Sequence, residues 1–484
     1  MNVEKLTGSH ILRSAYNVSR ELGHSIFLVG GAVRDLFLSS RSWKDLDFAV
    51  GANPRKIAGL LAHRVGGGFF CLDPQRGHYR ISIKEDDTII KKIDLSEIRG
   101  RDIHEDLIMR DFTINSMAID LKDLFEENRI RIIDPLGGME DMETGRVRAS
   151  YSKVFDDDPL RLIRGVRMAA FTGLSFEEDT ERLIKRKREL LNKSSWERVR
   201  DELFQILNNP SAHVYIHKLD SLGLLNVVFP EVTHWRDIDQ GEHHDYNLLD
   251  HSIKTIEYVE AIFSDLSDHF TGYADRIEEH FNEELEDNVT RANLIKLIAF
   301  LHDSGKADTK SLDGEKVRFF GHDRVGEQIN KTIAKRLKLG RKATRIIADI
   351  TKNHMRILSL SCLEKITPRA RYRFFRDLDK EVIDCLLLAM ADEQATRISA
   401  TPTQRTPLVI VIRDFLEYYF EVWLNASKTP LLNGREIMEL VGILQGKDVG
   451  RFLSLIKEAE GEGLISTREE AKDLVRLHSI SPGS

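Results

Sequence analysis

Short apolar runs broken by glycine turns fill the first 150 residues, and beyond Tyr151 the apolar positions fall at helical spacing almost without interruption. Residues 25–29 are a brief apolar run closed by Gly30 and Gly31. They read as a buried strand leaving through a tight turn, with residues 32–38 able to open a helix. Residues 65–70, 79–83 and 88–95 read as further strands. At residues 45–48 acids alternate with apolar side chains, so Asp45 and Asp47 share one face of a strand while Leu46 and Phe48 point into a core. Pro210 and Pro230 punctuate the helical region, residues 235–244 read as a polar linker, and residues 435–440 and 449–459 are amphipathic helices between glycines. The pattern predicts an α+β protein, with an α/β head over 1–150, a helical neck and body over 151–238, a further helical domain over 239–400 and a helical tail over 401–484.

The turn Gly30-Gly31-Ala32-Val33-Arg34 suits a triphosphate. Glycines admit the backbone close to an anion, free amides at a helix start point at it, and Arg34 offers a charged fork. Asp45 and Asp47 add the complement. Two carboxylates on one face are costly without a cation, and Mg²⁺ held by carboxylates together with substrate phosphates is the usual solution. Two such ions about 3.5–4 Å apart can activate a hydroxyl and hold a leaving pyrophosphate. Each half alone also fits a glycine turn or a solvated acidic loop; the two in this order point to nucleotidyl transfer. Farther on, Arg161, Arg164 and Arg167 recur every three residues behind Asp158. In a helix they form a slowly turning basic ridge with an acid beside its first arginine, able to face a base edge and to neutralise phosphates. An ordinary solvated helix has the same pattern.

These segments resemble the class II transfer RNA nucleotidyltransferases, the CCA-adding enzymes and their poly(A) polymerase relatives. Further runs follow in family order: Arg110-Asp111-Phe112-Thr113-Ile114-Asn115, Asp134-Pro135-Leu136-Gly137-Gly138, Asp157-Asp158-Pro159-Leu160-Arg161, and Glu197-Arg198-Val199-Arg200-Asp201-Glu202-Leu203. The resemblance implies a polymerase-beta-like head with Asp45 and Asp47 as catalytic Mg²⁺ ligands, acting on tRNA with CTP and ATP. It implies nucleotide binding by Gly30, Gly31, Arg34, Arg110, Asp158, Arg161, Arg164 and Arg167, with Asp158 and Arg161 reading the base. Asp157 stands where many members carry Glu. A stand-alone poly(A) polymerase is the nearest alternative, but its Gly-Arg-Arg-Phe run is replaced by Gly77-His78-Tyr79-Arg80. Members that add all three nucleotides, and many that add A, carry a long flexible loop before the Arg-Asp-Phe-Thr motif. Here residues 93–100 run almost directly into 101–107, as in CC-adding members, so the expected product carries two added C residues and needs a separate A-adding enzyme. Asp94, between Ile93 and Leu95, is either a third acid at the metals or a surface residue.

A second constellation, His251, His302-Asp303 and Asp392, resembles the HD domain of metal-dependent phosphohydrolases. The resemblance implies that these four hold a transition metal such as Ni, Mn or Co, with His322 and His354 near a second position. An inactive helical scaffold is the other reading, and phosphohydrolysis with a degenerate head is the alternative function of another class; the intact Asp45 and Asp47 argue against that. Residues 432–438, 450–453 and 463–471 resemble the family's tail, which grips the body of tRNA.

A net charge of −7 over 484 residues would disfavour RNA if it were spread evenly. It is not. Residues 161–200 carry a surplus of Lys and Arg, including Lys185-Arg186-Lys187-Arg188, and binding to a phosphate backbone depends on such local patches. Residues 265–287 are strongly acidic and read as a solvated helical insertion facing away from RNA. The chain has no apolar run of about 18 residues, begins with a polar segment, and scatters three cysteines, Cys71, Cys362 and Cys385. That fits a cytoplasmic enzyme without membrane partner, disulfide framework or zinc set.

Overall fold

A computed structural model describes residues 3–37, 45–75, 77–85, 88–241, 245–314, 316–396, 407–424 and 431–479. The protein is α+β, as its pattern predicts. It forms two compact units, residues 1–209 with 214–228, and residues 210–213 with 229–484.

The first unit is built on a sheet of β1 (Ile26–Val29), β2 (Asp45–Val50), β3 (Gly68–Asp73), β4 (His78–Glu85), β5 (Thr88–Glu97), β6 (Ala118–Asp120) and β7 (Ile132–Ile133). The order is β3-β4-β5-β2-β1-β6-β7. β2 and β5 are parallel and the other neighbours antiparallel. Period-two alternation decides the faces. Leu46, Phe48 and Val50 turn into a core with Leu28, Ile81, Ile93 and Leu95, packed against the helices His10–Glu21 and Pro54–Val65. On the other face Phe27, Val29, Ala49 and Ala118 meet Ile103 and Leu107 of the helix Ile103–Ile108, whose start is capped by the Asp102 side chain on the Glu105 amide. Asp45 and Asp47 share that second face. The helix expected over 32–38 is observed as Gly31–Asp35, and Leu38 lies outside the described residues.

The second unit packs the helices Leu248–Ser264, Arg291–Leu301, His322–Arg336, Arg341–Ser361 and Val382–Ala395. Its last helices, Gly434–Val441, Lys447–Gly461 and Arg468–Ser479, share a small core of Leu432, Ile437, Phe452, Ile456, Ala471 and Val475. Two expectations fail here. The polar linker over 235–244 begins inside the 3-10 helix Pro230–Asp237, where Trp235 is 1% exposed and packs on Phe300; residues 242–244 lie outside the described residues. The acidic segment is not simply a solvated helix: it folds into the helices Leu266–His269 and Ala274–Phe281 and a hairpin of Glu284–Glu286 with Val289–Thr290, burying Phe270, Ile277, Phe281 and Val289. Its charges are also used. Arg291, buried, binds Glu283 at 2.5 Å and Asp384 at 2.9 Å, and Asp384 also meets His280 at 2.7 Å. Among the described residues, no helix is long and apolar enough to cross a membrane.

Candidate active site and metal centre

β1 ends at Val29 and is followed by Gly30, whose φ of 69° lies in the left-handed region. A Cβ there would stand 3.3 Å from Asp47 Oδ2 and 3.3 Å from Arg110 Nη1, so both dihedral and space call for glycine. The register of β2 with β5 sets Asp47 beside Asp94. Asp94 therefore joins the carboxylate row, where Arg80 grips it with two hydrogen bonds of 2.7 Å. Burial, then the charge of Asp94, push the Asp47 carboxyl up to about 6; Arg110 opposes the shift and Asp45 adds to it. A buried carboxyl that resists ionising beside two other acids suits a divalent cation.

A cavity of about 870 Å³ opens over this row. Gly30, Gly31, Arg34, Asp45, Asp47, Arg110, Arg161, Arg164 and Arg167 all line it, as does Asp94. Asp158 lines an adjoining cavity of about 590 Å³, together with Arg161, Tyr151 and Asp157. Arg34 is almost fully buried: it donates to Asp35 and to Asn115 Oδ1 at 2.7 Å, and its guanidinium lies 4.7 Å from the Phe171 ring centre. Arg110 donates to Asp106 Oδ2 at 3.0 and 2.9 Å, and Arg99 takes the other oxygen at 3.0 Å. Burial alone would raise Asp106, but the two arginines hold its carboxyl below its ordinary value.

The basic ridge is braced from the helix Trp196–Leu207. Glu202 accepts from Arg164 Nε at 3.0 Å and from Arg167 Nε at 2.5 Å. Arg164 also faces Asp111 at 3.6 Å. Asp158 does not pair with Arg161. It ends the short helix Val154–Asp157 with an extended φ of −145°, ahead of the helix Arg161–Thr172, so the spacing of three does not put the two on one helical face. Asp158 binds Arg198 at 3.2 Å, while Arg161 donates to the Met109 carbonyl at 3.1 Å and to the Tyr151 hydroxyl at 3.2 Å. That hydroxyl in turn donates to Asp157 at 2.6 Å. Sequence reasoning gave no role to Asp106, Tyr151 or Glu202. Asp106 was findable as the i−4 partner of Arg110; the other two have partners too distant along the chain.

In the second unit the donor atoms of His251, His302, Asp303 and Asp392 lie within 4.8 Å of one another, as do those of Asp303, His322 and His354. Both sets are buried. Asp303 Oδ2 stands 3.2 Å from His302 Nε2, and Oδ1 stands 3.4 and 3.5 Å from His322 and His354 Nε2, so one carboxylate faces both groups. Nδ1 of His302, His322 and His354 meets the carbonyls of Ala299, Phe319 and Thr351 at 2.8, 2.8 and 2.6 Å. Such bonds keep a proton on Nδ1 and turn Nε2 inward, as in histidines that ligate metal. His302 Nε2 and Asp303 Oδ1 are buried without a hydrogen-bond partner, which a cation would remedy. Burial works against a charged His302, yet Asp303 and Asp392 push it up to about 10. The donor set fits a transition metal.

Three family models match in order: the poly A polymerase head domain over residues 26–148, the probable RNA and SrmB-binding site of polymerase A over 173–236, and the HD domain over 248–392. An A-adding tRNA nucleotidyltransferase of Deinococcus radiodurans is 31% identical, across 94% of this chain and 96% of that protein. A CC-adding tRNA nucleotidyltransferase of Thermus thermophilus is 30% identical, across 92% of each. The fold is also that of the Thermotoga maritima CCA-adding enzyme solved in complex with tRNA, with a TM-score of 0.63 at 22% identity over 99% of this chain and 98% of that one.

Proposed function

Because the chain belongs to the family of tRNA nucleotidyltransferases and poly(A) polymerases, we propose that it transfers CMP from CTP to the 3′ end of tRNA and stops after two C residues. The observation that carries the reading is the carboxylate row Asp45, Asp47 and Asp94 sharing one cavity with Arg161, Arg164 and Arg167. Mg²⁺ bound by these acids would supply Lewis-acid activation of the α-phosphate and neutralise the leaving pyrophosphate. The chain's own residues do the rest. Gly30 and Gly31 let the triphosphate approach the backbone, and Arg164 and Arg167, braced by Glu202, balance its charge. Asp158 and Arg161 are each held by protein partners at a fixed place, ready to meet a base edge. Arg34 and Asp111 orient Asn115 toward the sugar, and Arg110, held by Asp106, balances charge beside Asp47. Catalysis rests on positioning and charge neutralisation rather than on a covalent protein intermediate.

The choice of CC over CCA rests on the connection from β5, which ends at Glu97, to the helix that begins at Ile103. Residues 98–102 offer no long lever to bias one pocket toward a second base. Identity does not decide the matter, since A-adding and CC-adding relatives stand at 31% and 30%. The work is divided among a head over 1–150, a neck and body over 151–238, an HD domain over 239–400 and a tail over 401–484, in the cytoplasm, with an A-adding enzyme acting next. The buried histidine and aspartate centre supports a second activity, phosphohydrolysis with Ni, Mn or Co bound by His251, His302, Asp303 and Asp392. The head assignment is tested by Asp45→Ala and Asp47→Ala, which are expected to abolish incorporation of labelled CTP into tRNA lacking CCA while circular dichroism stays native. Near-normal incorporation by both variants would overturn it.

A further inference from the structure

The sheet face that carries the catalytic acids runs on past the cavity to an open edge. Register links Asp47 on β2 to Asp94 on β5, Asp94 to Arg80 on β4, and Arg80 to Phe70 on β3. Residues paired across strands point to the same face, so the four side chains form one row. The row beside it runs Asp45, Lys92, Ser82 and Gly68. Lys92 is exposed, and the space where Gly68 would carry a Cβ is open. β3 is the outermost strand on this side. Phe70 stands there with 48% of its surface exposed, and its neighbour Phe69 turns to the opposite face against Gly59. Phe70 therefore belongs to the reaction side of the sheet rather than to the core.

The strip combines an exposed cation, Lys92, the guanidinium of Arg80, paired with Asp94 on the acid row, and a half-exposed aromatic ring at its outer end. A single-stranded nucleic acid is held by that combination, phosphates along the cations and a base on the ring. An unpaired strand edge can also recruit another strand, but an exposed cation between the reaction centre and the ring matches the phosphates of a polyanion. We propose that Phe70 is a stacking platform for a base of the RNA 3′ end, upstream of the hydroxyl that reacts. Three strand spacings of about 4.8 Å set its backbone roughly 14 Å from that of Asp47, a reach of a few nucleotides. The inference rests on the RNA-directed reading of the head.

The test uses the full-length protein with Phe70→Ala, Phe70→Leu and Phe70→Trp. Affinity for tRNA ending at the discriminator base is measured by fluorescence anisotropy, and the KM for CTP is measured alongside. Alanine and leucine are expected to weaken RNA binding roughly 5- to 10-fold, the lower end of what one base–aromatic stack contributes, because leucine keeps apolar area but offers no π face. Tryptophan restores binding and gains fluorescence that RNA quenches, and the KM for CTP stays unchanged in all three. Unchanged RNA affinity in the alanine variant, or full rescue by leucine, overturns the platform. A concentration-dependent dimer of the parent protein that the alanine variant lacks also overturns it, assigning the edge to self-pairing. Parent protein that binds tRNA but incorporates no CTP would defeat the nucleotidyltransferase reading instead, leaving the RNA-binding comparison to stand by itself.

Discussion

Glu202→Ala should cost both stability and nucleotide binding, in amounts the geometry sets. The carboxylate is 6% exposed and takes Arg164 Nε at 3.0 Å and Arg167 Nε at 2.5 Å. Removing one partner of a buried ion pair costs about 3–5 kcal/mol, because the remaining charge is left uncompensated. Arg164 keeps Asp111 at 3.6 Å and Arg167 keeps Gln205 at 3.1 Å, which favours the lower end, about 3 kcal/mol. At about 2–4 °C per kcal/mol for a unit of this size, the melting midpoint of the first unit should fall by roughly 6–12 °C. Two arginines released from their brace should raise the KM for CTP by about 10- to 100-fold, tenfold corresponding to about 1.4 kcal/mol. Glu202→Gln, which keeps the shape and one acceptor oxygen, should lie between. Differential scanning calorimetry and steady-state CTP incorporation read the two effects. A Glu202→Ala protein with native melting and a KM within about twofold of the parent, well short of the tenfold step, would refute the claim that this carboxylate sets the ridge.

Asp47→Asn should melt above the metal-free parent at pH 8 and level with it at pH 4. The folded-state value of about 6 lies above the ordinary 3.8, so the stability this carboxyl contributes is fully present below 3.8 and lost as pH rises through 6; equal melting at both pH values contradicts this, and Mg²⁺ should reverse the order at pH 8. His302→Ala with Asp303→Ala should abolish stoichiometric Mn, Ni or Co binding, measured by mass spectrometry of metals, and end metal-dependent release of phosphate from cyclic or terminal phosphates. CTP incorporation should persist, and its loss in a folded protein would show that the two centres are coupled. Arg291→Met leaves the buried Asp384 with His280 alone, at 2.7 Å, and should destabilise the second unit by about 3 kcal/mol, the lower end for a broken buried pair, seen in urea titration, while the rate of CTP incorporation holds; an unchanged urea midpoint would mean that the acidic segment is not anchored there.

The strand of the paired acids was legible because period two is local: Asp45 and Asp47 alternate with Leu46 and Phe48, and the structure keeps the acids and the apolar side chains on opposite faces. The place of Asp94 was not, since nothing local says that β2 pairs in parallel with β5. The spacing of Asp158 and Arg161 misleads for the opposite reason: three residues is a helical interval, but the chain breaks at Asp158 and the acid turns to Arg198. In the acidic segment the abundance of charge obscured Phe270, Ile277 and Phe281, which anchor it. The histidines of the second centre were visible by kind and order. The carbonyls of Ala299, Phe319 and Thr351 that orient three of them leave no mark in sequence, because every residue has a carbonyl.

One measurement reaches both the reaction and its stopping point. Purified protein is given CTP and ATP with tRNA ending at the discriminator base, and the product is sized at one-nucleotide resolution. The short connection at residues 98–102 predicts a product two nucleotides longer, both C, with no A added until a separate A-adding enzyme is supplied. Addition of all three nucleotides by this chain alone would contradict the stopping point, and no addition at all would contradict the reaction.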